Sequence, residues 1–500
     1  MSSHGRGAGA DDSALTGRRH PRVDGALLLL AGVHVASRLA FWIDGVRFDA
    51  STLPWFWQFL DPAWLRTDLL RSLWYLHAQP PLFNALLGIV LKLDGAAWMF
   101  QGIFFALGLA LVLALYTLMR RLGVGRGVAF ATALLYDLSP TAVIYENLLF
   151  YTELEAALLV GAALFLHRLA ERRRTLDAAL FFSCIAALAL TRSLFHAVWF
   201  LACSGLALAA SRPLRGGIVI SFLLAALGVG GLYAKNAWVF GAPSGSSWFG
   251  MSLARFELRC WPAGDLRALV ARGEVSPLIL IPPFSPLERY AGKVGRPVGA
   301  DVLALREPVK KGGDRNLNHI AYVELSRQYA RDAIALIRAE PARYALCLQG
   351  AVARFMLPPS DYHLVSSNRQ SLGGLDRLYD AVIYGVPRAW LGMPPRTDVY
   401  GPYEEQEAPV EAGELCWLWF GAGLLACATC ARAAIRRPRM RATATVLAFC
   451  LFNIAFVTIA ANAVELGENN RFRVAIEPLV AALIALAATE LVRARARARG

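Results

Sequence analysis

Charge is what this chain has least of. Asp, Glu, Lys and Arg make up only 18% of its 500 residues, and acids are the scarcer half, 37 against 51 bases. Soluble domains carry about 25% charged residues. So little charge excludes an intrinsically disordered chain and a coiled coil. Glycine shows no collagen period, and eight cysteines in 500 residues are too few for a small disulfide scaffold. Also absent are an HExxH helix, a GxSxG elbow, a Walker loop, a metal-spaced His/Cys cluster and any internal repeat. The CxxC of Cys427 and Cys430 has no second half.

What fills the space is apolar. Hydrophobic residues account for 56%, the mean hydropathy is +0.44 and the net charge is +14. This combination reads as a multi-span membrane protein, with no call for nucleic acid. A spanning helix takes about 20 mostly apolar residues. Ten runs qualify: 25–43, 96–118, 127–145, 152–169, 176–192, 194–210, 216–234, 415–433, 443–463 and 474–492. The run 81–93 (PLFNALLGIVLKL) is too short to cross comfortably and reads as a re-entrant or juxtamembrane segment.

Charge placement supports that count. If 81–93 does not cross, 22 basic residues fall on one side, from Arg6 and the Arg18–Arg22 tail to the RARARARG end. Eight fall in the opposite short loops: Arg47, Arg66, Arg71, Lys92, Arg192, Lys235, Arg471 and Arg473. The positive-inside rule then puts both termini in the cytoplasm. The expected fold is an all-α polytopic bundle. Residues 1–24 form a disordered tail, 25–235 an N-terminal bundle, 415–492 the C-terminal spans and 493–500 a basic cytoplasmic tail.

Two segments face outward, the Trp-rich 44–80 and the mostly helical domain 236–414. Within the second, 319–339 reads as a helix with Val323, Ala330, Ile334 and Ile337 inward, opposite Arg327, Arg331 and Arg338. A second helix follows Pro341 over 342–356, and 274–288 is too Pro-rich for regular structure. Cys184, Cys203, Cys416, Cys427, Cys430 and Cys450 lie in or beside spans and read as packing; Cys260 and Cys347 lie outside, where a disulfide is permitted.

The candidate chemistry gathers at the outer ends of the spans. Asp44 and Asp49 follow the first span; His77, Gln79 and the Pro80–Pro81 bend precede the short apolar segment. An acid at the membrane edge can act as a general base or a metal ligand, so a divalent metal in the first outer loop stays open. Glu146 and Glu153 flank the next outer turn, as cavity-lining groups or as a helix-start acid opposing the dipole. Arg192, Lys235 with Asn236, and Arg471 with Arg473 break the positive-inside pattern. They suit a lipid phosphate, or snorkelling and pairing with Glu465, Glu468 and Glu477. His34 and Arg38 share one face of the first span.

The ordered set IDGVRFDA, HAQPPLFNALLG, YTELEAALL, ALTRSLF, AKNAWVFG and NRFRVAIEPL resembles the GT-C superfamily of integral-membrane glycosyltransferases. It is most similar to the branch of dolichyl-phosphate-mannose–protein mannosyltransferases and bacterial aminoarabinose transferases. It departs from that branch in separating its first-loop acids, in carrying Lys235 for the usual Arg, and in carrying Gln79 where some relatives have Lys. The resemblance implies a GT-C-like bundle in a bacterial inner membrane, with the large domain periplasmic. It implies sugar transfer from a polyprenyl-phosphate-linked donor to a hydroxyl of a glycan, lipid or protein, with inversion. Asp49, or else Asp44, would be the base. His77, Gln79, Arg192, Lys235, Arg471 and Arg473 would hold the lipid phosphate, and Glu146, Glu153 and Asn236 would line the cavity or meet the acceptor. A lipid or glycan transporter is the alternative.

Overall fold

The computed structural model describes residues 24–291, 301–386, 441–465 and 467–499, with a few scattered positions between 389 and 431. The expected tail 1–24 (but for Asp24), the far end of the outer domain and most of the expected span 415–433 lie outside these. The described chain is mostly helical and contains no β-strand among the described residues.

The first half forms α1 (Gly25–Ile43), α2 (Pro62–Thr67), α3 (Leu69–Trp74), α4 (Leu82–Leu91), α5 (Ala96–Arg121), α6 (Arg126–Asp137), α7 (Pro140–Glu146), α8 (Tyr151–Arg172), α9 (Thr175–Thr191), α10 (Ala197–Ala210) and α11 (Gly216–Phe240). The outer segment adds α12 (Phe249–Leu258), α13 (Ala263–Ala271), α14 (Leu303–Arg306), α15 (Ala321–Ala339), α16 (Pro341–Phe355), α17 (Ser366–Ser371) and α18 (Gly373–Asp380). The C-terminal part holds α19 (Arg441–Val464), α20 (Asn469–Arg473) and α21 (Glu477–Arg499), so the expected basic tail continues the last helix.

Four helices, α1, α5, α11 and α19, are long and apolar enough to cross a membrane, and α6 with α7 makes a fifth if that bent pair is one span. This is a helical membrane protein. The bend of 54° has a local cause. Pro140 supplies no amide hydrogen and disfavours helix at the preceding residue. Ser139 there caps α7 instead, its side chain accepting from Ala142 N at 3.2 Å. The ten-residue α4 is about 15 Å long, too short to cross.

Helix α8 sits at the centre, against α5, α9 and α19. Its Leu159, Val160 and Leu166 pack with Phe181, Phe182, Trp199 and Phe449 in the bundle core. Above it lies a second core, shared by the two outward segments: Trp64, Leu65 and Phe59 pack in one cluster with Met251, Tyr322 and Tyr329. The segment 44–80 thus belongs structurally with the outer domain. Cys260 and Cys347 form a disulfide with Cα atoms 6.1 Å apart, fastening α16 to the residues after α12.

One expectation on α15 needs correction. The helix forms with Arg327, Arg331 and Arg338 exposed and Val323 buried as expected, but Ala330 and Ile337 are only half-buried and Ile334 is exposed, and the buried face is completed by Tyr322, Leu325, Ser326, Tyr329, Ala333 and Leu336. The face is rotated because its polar members find partners. Ser326 Oγ accepts from Gly250 N at 3.1 Å, and Tyr329 Oη donates to the Ile281 carbonyl at 2.6 Å.

Candidate functional site

The outer layer and the adjoining span ends enclose a cavity of about 880 Å³. Three sources build its wall. The first outward segment supplies Trp55, Phe56, Trp57, Gln58 and Gln79. The second supplies Ser244–Ser246, Trp248, Phe249, Arg255 and Phe284. The helix ends supply Arg192–Leu194, His196–Val198, Tyr233, Ala460, Ala461, Ala463 and Val464, with Glu465, Glu468 and Phe472 beyond them. The wall is mixed in character. Leu194, Ala197, Val198, Ala460, Ala461 and Val464 are its apolar members, while Arg192, Arg255, Glu465 and Glu468 are its charged ones. At the rim Val198 is 70% and Phe249 57% exposed, so the cavity opens on apolar surface.

The aromatic strip is fixed from behind. Lys310 Nζ donates to the Phe56 carbonyl at 2.7 Å, and Asn84 Nδ2 donates to the Gln58 carbonyl at 3.1 Å. Trp57 stacks on Phe284 with ring centroids 5.4 Å apart. Burial of the Lys310 ammonium pushes it down to about 8, against the pull of Asp314 and Asp61.

Among the charged members the guanidinium groups are held by acids and rings together. Arg192, just past α9, reaches Glu155 on α8 at 3.1 Å and lies 4.1 Å over the Phe472 ring and 5.1 Å over Tyr151. Arg471 is fully buried behind the wall, pairs with Glu468 at 2.5 Å and donates to Tyr151 Oη at 3.3 Å. Tyr151 Oη in turn donates to Gln58 Oε1. Arg255 on α12 pairs with Glu465 beyond α19, joining the outer layer to a span end.

Of the residues expected at a donor site, Gln79 and Arg192 line the cavity, and Arg471 stands directly behind it. The others sit elsewhere for identifiable reasons. Both ring nitrogens of buried His77 are taken: Nε2 meets the Asn318 carbonyl at 2.9 Å and Nδ1 meets Ser247 Oγ at 2.7 Å. The carbonyl only accepts, so Nε2 carries the proton and Nδ1 takes the Ser247 hydroxyl hydrogen. Burial, reinforced by Lys235, pushes His77 down to about 3. Lys235 Nζ donates to the Leu76 carbonyl at 2.7 Å, and Asn236 Nδ2 to the Ser244 carbonyl at 2.6 Å. Arg473 pairs with Glu477 at 2.9 Å and donates to the Phe355 carbonyl at 3.0 Å.

The expected acids are also outside. Asp44 is exposed and caps α1. Asp49 pairs its backbone with residues 147 and 149 and turns Oδ1 to Ser51 N at 2.8 Å. Glu146 and Glu153 lie inside the bundle, Glu146 bound to Arg38. Among the described residues no group of three or more His, Cys, Asp or Glu is arranged to hold a metal ion, the first outer loop included.

Sequence reading missed Arg255 as a cavity residue and took Glu465 and Glu468 only as pairing partners. The available signal was a basic residue within the mostly apolar FGMSLARFEL of α12, where Ser252 and Glu257 are the other polar members. No family model, curated protein or solved structure matches the chain.

Proposed function

We propose that this protein is a membrane glycosyltransferase of GT-C type, with ten spans, both termini cytoplasmic and the disulfide-bearing layer outside a bacterial inner membrane. Disulfides persist in oxidising compartments, which agrees with an outward position for Cys260 and Cys347. Exposed Trp42, Trp98 and Trp238, each near the end of a long apolar helix, suit a membrane–water boundary.

One observation carries the functional reading. The cavity wall combines apolar residues, among them the exposed Val198 and Phe249, with both guanidinium and carboxylate groups. A polyprenyl-phosphate-linked sugar has that combination of chemistry: a hydrocarbon tail for the apolar residues and a phosphate for the bases. In the proposed step an acceptor oxygen bonds to the anomeric carbon from the face opposite the phosphate. The carbon–oxygen bond to phosphate breaks, the phosphate leaves with the electron pair, and the hydroxyl proton passes to a carboxylate. Arg192 and Arg255 stabilise the departing charge, as preorganised donors do. Glu465 and Glu468 are the acids of the cavity wall, so the base role passes to one of them from Asp49 and Asp44.

The test is transfer of labelled sugar from a panel of polyprenyl-phosphate-linked hexoses to membrane acceptors, by the purified protein in lipid. Glu465→Gln or Glu468→Gln should abolish transfer, while Asp49→Asn and Asp44→Asn retain it. Loss in the Asp variants alone would return the base to the first outer loop. Donor carried across vesicles with no covalent product would overturn the transferase and favour a transporter.

A further inference from the structure

One cavity side chain has no part in the proposed transfer. His196 lines the wall between Arg192 and Val198 and opens α10 as its N-cap. Its Nδ1 accepts the Trp199 amide hydrogen at 3.4 Å. The ring meets Phe456 of α19 edge to face, with centroids 5.2 Å apart. The next amide, Ala197 N, donates to Tyr233 Oη of α11 at 3.0 Å. Helices α10, α11 and α19 thus hold this half-buried imidazole and the turn that carries it.

The cap fixes the tautomer. A ring nitrogen that accepts an amide hydrogen carries none of its own, so Nδ1 is bare and the proton sits on Nε2. His77 spends both ring nitrogens, on Asn318 and Ser247. His196 spends one, and among the described residues its Nε2 has no hydrogen-bond partner. Capping alone does not call for an imidazole, since Asn, Asp, Ser and Thr are the preferred N-caps. What histidine adds is an N–H on the opposite edge of the ring, on a residue that lines the cavity.

The rest of the wall has a use for such a donor. Both of its guanidinium groups are already engaged, Arg192 with Glu155 at 3.1 Å and Arg255 with Glu465. A phosphate must share them with carboxylates. A neutral N–H adds a charge-assisted hydrogen bond to the phosphate and no further cation to be paired. Arg192 and His196 also flank a single turn, closed by Phe195 N donating to the Arg192 carbonyl at 3.1 Å.

We propose that His196 is a phosphate-binding residue of the cavity, its Nε2–H donating to an oxygen of the lipid phosphate while α10 holds the ring. This rests on the transferase reading of the cavity. The role is recognition, and no proton changes hands at His196.

Two amide replacements divide the two edges of the ring. His196→Asn keeps an acceptor at the Nδ1 position and removes the distant donor. His196→Gln reaches the Nε2 position and gives up the cap. Full-length protein in zwitterionic phospholipid nanodiscs is titrated with polyprenyl phosphate and with the polyprenyl alcohol of the same length. The wild type should prefer the phosphate. His196→Asn should weaken phosphate binding about tenfold, as loss of a hydrogen bond to a charged group does, and leave the alcohol unchanged. His196→Gln should stay within about threefold of wild type. Hydrogen exchange at the start of α10 should show the reverse order, with wild-type protection in His196→Asn and faster exchange in His196→Gln. Phosphate binding kept in His196→Asn, or lost equally in both variants, overturns this proposal alone. A wild type that binds phosphate and alcohol equally overturns the transferase reading as well.

Discussion

Gly108 faces Glu146 so closely that no side chain fits between them. A Cβ at Gly108 would lie 2.9 Å from the Glu146 carboxyl carbon and closer still to Oε2. Glycine on α5 is therefore what lets the carboxylate sit against Arg38 inside the bundle. Gly108→Ala should raise local helix propensity and still destabilise, by about 1–3 kcal/mol as overpacking does. Thermal unfolding in lipid checks this, and a stabilised variant would show that Glu146 has room to move.

His77 makes a second prediction. Its folded state is pushed down to about 3, against an ordinary value of 6.5. The unfolded chain therefore binds a proton that the folded one refuses, and stability falls as pH drops from about 6.5 toward about 3. His77→Gln should reduce that acid loss while keeping a donor for the Asn318 carbonyl. Denaturation midpoints over this range, compared with wild type, give the answer; identical acid slopes would count against a neutral His77.

These features were unequally legible in the sequence. The long apolar runs announced α1, α5, α11 and α19 because burial in lipid leaves a composition signal. Helix α15 was visible, but its inward face was read one step round, because Tyr322, Ser326, Tyr329 and Asp332 carry polar atoms and look like surface. Their burial depends on distant partners: Asp332 accepts from Ser276 N at 3.0 Å, and Tyr322 Oη donates to the Ser285 carbonyl at 2.8 Å. The candidate site emerged only in part, with Gln79 and Arg192 named correctly, for the same reason. Arg192 stood out as a base in a short loop expected to face outward, whereas His77 and Lys235, equally prominent, spend their polar atoms on distant backbone carbonyls and, for His77, the Ser247 hydroxyl, which no local spacing reveals.

Glu257 gives a pH effect of opposite sign. It is buried on α12, with Trp261 Nε1 donating to Oε2 at 3.2 Å and Oε1 unpartnered. Burial pushes it up to about 7, and the Trp261 hydrogen bond offsets only part of that. Here the folded state holds the extra proton. Its contribution is full below about 4.5 and is lost as pH rises toward about 7. Glu257→Gln should therefore be relatively more stable at neutral pH than in mild acid, when each is compared with wild type at the same pH. A constant difference across pH would show that the carboxyl does not titrate in this range.

Arg192 and Glu155 form the pair in which stability and function can be separated. Their 3.1 Å contact is nearly closed to solvent, with Arg192 8% and Glu155 0% exposed at the side chain. Removing one partner leaves a buried unpaired charge, at a cost of about 3–5 kcal/mol. Arg192→Leu should thus unfold at lower temperature. The double variant Arg192→Leu, Glu155→Leu should recover much of that loss, since no unpaired charge remains. Binding of a polyprenyl phosphate should not recover, because the guanidinium in the cavity wall is still missing. Thermal unfolding and lipid-phosphate binding, measured on all three variants with Glu155→Leu included, complete the cycle. Binding restored with stability would show that Arg192 serves the fold alone.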